Sequence, residues 1–190
     1  MLLWIILAVV AAVVVYAIVV FNGLVRTRQM ANEAWSGIDV QLKRRSDLVP
    51  NLVESVKGYA AHERSVLEEV TDLRGAARAL PADDVVRRAQ AEGALSVALG
   101  KLIAVAENYP DLKASGNFLE LQQQLSDLEN EIQMARRYYN GATRDYNTRL
   151  QSFPGVMLAR LFGFAPSPFF EIDNAADRIA PQVSFQKGAP

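Results

Sequence analysis

The chain has 190 residues, 51% of them hydrophobic, with 20 Lys and Arg against 21 Asp and Glu and no cysteine. Charges so evenly matched supply no overall field to recruit nucleic acid or acidic ligands, and the lack of cysteine excludes disulfides, thiolate metal sites and cysteine catalysis while leaving the redox compartment open. With an N-terminal apolar segment set aside, the remaining length suffices for one helical domain and is short for two.

Residues 1–25, "MLLWIILAVVAAVVVYAIVVFNGLV", carry no charged side chain. At a rise of about 1.5 Å per residue, residues 2–21 of this run are long enough as a helix to cross a hydrocarbon core of about 30 Å. This predicts a transmembrane helix. The competing reading, a secretory signal peptide, calls for a basic leading region, a shorter apolar core and an A-x-A-like cleavage site, and none is visible. No Lys or Arg precedes the span, whereas Arg26 and Arg28 follow it, so the domain is expected to face the cytoplasm. Trp4 suits an interfacial anchor or a plain lipid-facing side chain, and Ala8 with Ala12 forms only a weak small-xxx-small signal for helix packing.

Beyond the span, Trp35, Ile38, Leu42, Arg45, Val49, Leu52, Val56, Tyr59, Glu63, Val66, Val70, Leu73, Ala77 and Leu80 keep an unbroken three-four spacing. The pattern runs straight through Pro50, whose flanks lack the punctuation of a tight reversal, and so predicts one long kinked helix. The alternative is a four-helix bundle with a break at Pro50. Pro81 ends the stripe, and Asp83 or Asp84 can cap a second helix that runs to about Asn108, with Asp84 placed to pair with Arg88. "NYPDLKASGNF" then turns the chain, with Asn117 and Glu120 arranged like a capping box. A third helix follows from about Phe118 to Gln151, its stripe made by Phe118, Leu121, Leu125, Leu128, Ile132, Ala135, Tyr139, Ala142 and Tyr146. The expected fold is all-α: an N-terminal transmembrane helix (residues 1–25) continuing into an antiparallel bundle of three long helices (residues 26–153).

Residues 154–190 read as a short amphipathic Phe-rich segment followed by a loosely structured tail beyond Asp173. Pro154 and Gly155 stop the third helix, and Phe153, Phe162, Phe164, Phe169 and Phe170 crowd the stretch around them. Such aromatics suit a second membrane contact, a protein-binding surface, or a cover over the end of the bundle or a neighbouring subunit.

Four stretches together resemble the LemA family of bacterial membrane-anchored helical proteins: "FNGLVRTR", "EAWSGIDVQLKRRSDLVPNLVESVKGYAAHE", "AENYPDLKASGNFLELQ" and "ARRYYNGATRDYNTRLQSFPG" leading into "LFGF". The resemblance covers roughly residues 20–171 and implies a single-pass protein of the bacterial inner membrane with a helical bundle outside the bilayer. It implies no reaction, and it offers no catalytic or cofactor-binding residues to carry over.

The residues themselves offer little chemistry. His62, the one histidine, stands beside Glu63 and Arg64, as a solvated or hydrogen-bonding side chain would, and Tyr59 occupies the place where a ferritin-like Glu-x-x-His motif needs Glu. The run ending in Gly100-Lys101 has the wrong spacing for a P-loop and is followed by Leu102 instead of Ser or Thr. No catalytic residue, cofactor, metal or small-molecule substrate is therefore assigned. Two features point toward interfaces. Arg45 and Glu63 occupy apolar positions of the first stripe, where they must pair with another helix, reach outward or meet a neighbouring subunit. Arg136, Arg137, Tyr138 and Arg144 form an Arg/Tyr face on the third helix, next to an expected Asp145–Arg149 pair. These six residues, with Phe162, Phe164, Phe169 and Phe170, are the candidate interface. The expected function is that of a non-enzymatic membrane-anchored scaffold that self-associates, its partners being the lipid bilayer and further copies of itself. The alternative is an adaptor or regulator of another membrane protein, such as a membrane protease.

Overall fold

A computed structural model describes residues 1–171. The loosely structured tail expected beyond Asp173 lies outside the described residues. Every element among them is a helix: α1 (Leu2–Lys57), α2 (Arg64–Ala79), α3 (Val85–Ala106), a single turn α4 (Pro110–Lys113), α5 (Gly116–Gln151) and α6 (Gly155–Phe162). The 56 residues of α1 span about 84 Å. Its apolar N-terminal stretch is exposed, meeting α6 only from Val14 onward, and the first buried residue of α1 is Leu24. That stretch has a mean hydropathy of 3.1 and is long enough to cross a membrane.

The helix does continue through Pro50, and the structure supplies a reason that it can. Proline has no N–H to offer the carbonyl of Ser46 one turn back. That carbonyl accepts a hydrogen bond from Arg74 Nε of α2 at 2.6 Å, so the bond missing within α1 is replaced from the neighbouring helix. The proline ring itself faces solvent, while Val49 and Leu52 on either side are buried.

The long first helix ends earlier than its stripe predicts. The chain reverses over residues 58–63, where Tyr59 and Ala60 N–H groups donate to the Val56 carbonyl and the Glu63 N–H donates to that of Ala60. Arg74 against Ser46 and Arg78 against Asp47 (3.6 Å) show α2 running back along α1. The bundle therefore has four antiparallel helices, α1, α2, α3 and α5, in place of three, and the extra break falls after Lys57, not at Pro50. Around the turn the core shifts by one residue from the predicted stripe: Tyr59 is exposed, and Ala60 is fully buried with Val56, Leu67 and Val70.

Helix ends follow the sequence in part. Asp84 caps α3 by accepting from the Arg87 N–H at 3.1 Å, and this bond, together with the Arg87 side chain, lowers its pKa. Asp84 pairs with Arg87, however, and Arg88 instead crosses to Asp39 of α1 at 2.5 Å. At the start of α5 the N-cap position belongs to Ser115, not Asn117, and no side chain bonds there.

Three apolar clusters follow one another along the bundle. The distal one joins Val49, Leu52, Val56, Leu67, Leu99, Leu102 and Phe118. The middle one joins Ala31, Ala34, Ile38, Leu42, Ile132, Tyr139 and Phe170. The third, at the end nearest the apolar stretch, joins Leu24, Tyr146, Leu150 and Ala159. Fully burying an aliphatic side chain contributes about 1.5–3 kcal/mol, so these clusters supply the main stabilisation.

Candidate interaction surfaces

The buried guanidinium of Arg45, 1% exposed, sits between the distal and middle clusters. Nη2 donates to the Glu92 carboxylate at 2.5 Å and to the Glu92 carbonyl at 3.1 Å, and Nη1 donates to Ser96 Oγ at 2.5 Å and to the Glu129 carboxylate. One side chain of α1 thereby ties α3 to α5. This polar layer is the inter-helix pairing that a charge on the stripe demands, and it removes Arg45 from the surface candidates. Glu63 is half-buried at the start of α2 and takes no place in the core.

On α5, two repeated pairs seven residues apart, Tyr139-Asn140 and Tyr146-Asn147, hold the segment 164–171, which follows α6 without regular secondary structure, along the bundle. Asn140 donates to the Phe170 carbonyl at 3.2 Å and accepts from its N–H at 2.9 Å. Asn147 does the same for Ser167, with both contacts at 2.9 Å. Each amide thus gives one residue's backbone N–H and C=O the two hydrogen bonds that a neighbouring strand would give. The hydroxyls of Tyr139 and Tyr146 donate to the carbonyls of Pro168 (2.7 Å) and Ala165 (2.9 Å). Burial raises the pKa of both phenols, keeping them protonated as donors. Phe170 ends this strap as a fully buried plug, its ring 5.6 Å from that of Trp35, which also packs on Tyr139 and donates from its indole N–H to the Ala82 carbonyl at 2.7 Å.

The Phe-rich segment is thus divided in its roles. Phe170 belongs to the chain's own core, and Phe164 is half-buried, edge-on to Phe21 with the Arg28 guanidinium 5.0 Å above its ring. Phe169 lies at the margin of the surface, and Phe162 meets Phe21 at 4.9 Å while staying 57% exposed. On the Arg/Tyr face, Arg136 is half-buried and Arg137, Tyr138 and Arg144 are exposed. The expected Asp145–Arg149 ion pair is not formed among the described residues, and Arg149 turns to the level of Gly23. A cleft of about 660 Å³ opens there, lined by Val19, Gly23, Arg26, Thr27, Asp145 and Arg149.

The strap and its seat escaped the sequence reading. Their signal was the recurrence of Tyr-Asn at a heptad interval, with each asparagine just off an apolar stripe. His62 is exposed in the turn between α1 and α2, and among the described residues no three His, Asp or Glu side chains converge in a way that could hold a metal ion.

A long exposed apolar helix running without interruption into a strapped four-helix bundle defines a membrane-associated helical-bundle protein. The chain belongs to the LemA family, whose model matches residues 34–185. It is similar to the magnetosome protein MamQ of Magnetospirillum gryphiswaldense, with 26% identity over 196 residues covering 90% of this chain and 72% of that one. The same figures hold for the magnetosome protein MamQ 2 of Paramagnetospirillum magneticum. Protein LemA of Metamycoplasma hominis is 28% identical over 132 residues, covering 70% of this chain and 60% of its relative.

Proposed function

We propose that this protein is a non-enzymatic scaffold of the bacterial inner membrane that self-associates through the exposed face of α5, with its bundle on the cytoplasmic side. The observation that carries the reading is a surface pair one helical turn apart: Tyr138 is 60% exposed and Met134 47% exposed, with Arg137 and Arg144 exposed nearby. Aromatic and arginine side chains on a rigid helix are what protein interfaces use as anchors. Orientation rests on Arg26 and Arg28, the first charges after the apolar stretch. The relatives named magnetosome proteins carry the name of a cellular structure and not of a reaction, which suits an organising role.

The chain contains no cysteine, so a single Glu131→Cys substitution, on the same face of α5 seven residues before Tyr138, gives a cross-linking probe that leaves Tyr138 in place. Mild oxidation in native membranes is expected to yield a disulfide-linked dimer, and Val97→Cys, exposed on α3, is expected to stay monomeric. Arg144→Glu in the Glu131→Cys background is expected to suppress the dimer. If the same cysteine, treated with a bifunctional reagent, instead captures a different membrane protein and no second copy, the adaptor reading replaces the scaffold reading.

A further inference from the structure

The eight residues of α6, "GVMLARLF", include one polar side chain, Arg160. A helix apolar nearly all round is normally buried all round. Here one face is buried, with Gly155 and Ala159 packed close to the bundle. A Cβ on Gly155 would lie 2.3 Å from the Arg149 carbonyl, so glycine is what lets α6 approach so closely. The other face is bare, with Met157 63% exposed and Leu161 74%, and Phe153 in the turn before α6 is 80% exposed. Met157 and Leu161, one turn apart on the helix, form an apolar ridge.

Position gives this ridge its meaning. Leu158, Leu161 and Phe162 of α6 line an apolar groove together with Val14, Ile18 and Phe21 of α1. Ile18 stands eight residues before Arg26, the first charge after the apolar stretch, which places it about 12 Å further along the helix axis on the membrane side. Residues that share a groove with Val14 and Ile18 must lie at their depth. If residues 1–25 cross the bilayer, the bare ridge of α6 meets lipid and not water.

We propose that α6 is a second membrane contact, its Met157 and Leu161 ridge, with Phe153 of the preceding turn, entering the bilayer beside the N-terminal span and seating the near end of the bundle in lipid. Acyl chains are the occupant because the ridge is continuous with the apolar surface of α1. Arg160 is long enough to reach headgroups from beside the ridge. Interfacial helices of this kind bury their apolar side about 5–10 Å below the headgroup boundary. The proposal rests on the reading of residues 1–25 as a membrane span.

The test uses the full-length chain in vesicles of phosphatidylcholine and phosphatidylglycerol, carrying a spin label at one introduced cysteine: M157C, L161C, V13C in the span, or V97C on α3. Collisions with oxygen, which concentrates in acyl chains, are compared with collisions with a water-soluble nickel chelate. The expected result is that labels at 157 and 161 share the oxygen preference of the label at 13, while the label at 97 prefers nickel. Oxygen preference at 13 with nickel preference at 157 and 161 overturns the α6 contact and leaves the span intact. Shielding of 157 and 161 from both reagents shows that protein covers the ridge, from a second copy or from the chain's own remaining residues, and also overturns the proposal. Nickel preference at 13 removes the span itself, and the proposal with it.

Discussion

The Arg45 guanidinium is a charge buried between two apolar clusters of the bundle, and it bonds to Glu92 and Ser96 of α3 and Glu129 of α5. Removing one partner of such a buried pair costs about 3–5 kcal/mol because the other charge is left stranded. Arg45→Ala is therefore expected to lower stability by that amount in guanidinium unfolding of the detergent-solubilised chain followed by circular dichroism. Arg45→Met with Glu92→Met, which removes both buried charges, is expected to recover most of the loss, and recovery of none of it contradicts the account. The Tyr139 and Tyr146 hydroxyls make a second residue-scale claim. Burial holds both phenols above their ordinary value of 10.0, and a phenolate cannot donate to the Pro168 and Ala165 carbonyls. Their stabilisation of the strap is complete below the unfolded-state value and is lost as pH rises through the raised folded-state value. In a Trp4→Phe background, Trp35 fluorescence is expected to report release of Phe170 only above pH 10.0. Tyr139→Phe with Tyr146→Phe abolishes that transition and costs about 1 kcal/mol per lost bond. The misplaced charge of Arg45 was legible in the sequence because it broke an apolar spacing. Its partners were not, since Glu92 and Glu129 look like any solvated helix charge until the helices are set side by side.

At the scale of elements, Pro50 and Arg74 act as a pair. Arg74→Ala leaves the Ser46 carbonyl with no donor beside a proline, a loss of about 1–3 kcal/mol. Pro50→Ala restores the helical N–H, so it is expected to be neutral or stabilising, and in its background Arg74→Ala is expected to cost markedly less. Additive effects in that double-mutant cycle contradict the pairing. The unbroken passage through Pro50, the cap at Asp84 and the extent of α5 were all readable from spacing and punctuation. The reversal over residues 58–63 was not, because Val56, Tyr59, Glu63 and Val66 keep an unbroken spacing in the sequence while the folded core passes through Val56, Ala60 and Leu67. Only Gly58 following Lys57 hinted at a helix end, and Gly58 takes an ordinary right-handed conformation there. The strap was hidden for a related reason: asparagines that pair with backbone leave no apolar period to detect.

Across the whole molecule, α1 joins the apolar stretch to the bundle core as one continuous helix, and α6 lies at the near end, where Phe162 and Phe164 close on Phe21, before the strap runs back along the bundle to Trp35. With no hinge between them, a side-by-side arrangement of membrane helices would carry over directly into the arrangement of the bundles, and the Arg137, Tyr138 and Arg144 face would set their spacing. The fold class and the apolar anchor were evident from composition and periodicity. What the surface engages was not, because exposed arginine and tyrosine read the same whether they meet water or protein. The most direct measurement is the mass of the full-length protein in mild detergent by multi-angle light scattering, with negative-stain imaging of the same fraction. The account predicts a discrete oligomer of uniform shape that dissociates when Tyr138→Ala and Arg144→Glu are combined. A monomer across the accessible concentration range would contradict self-association.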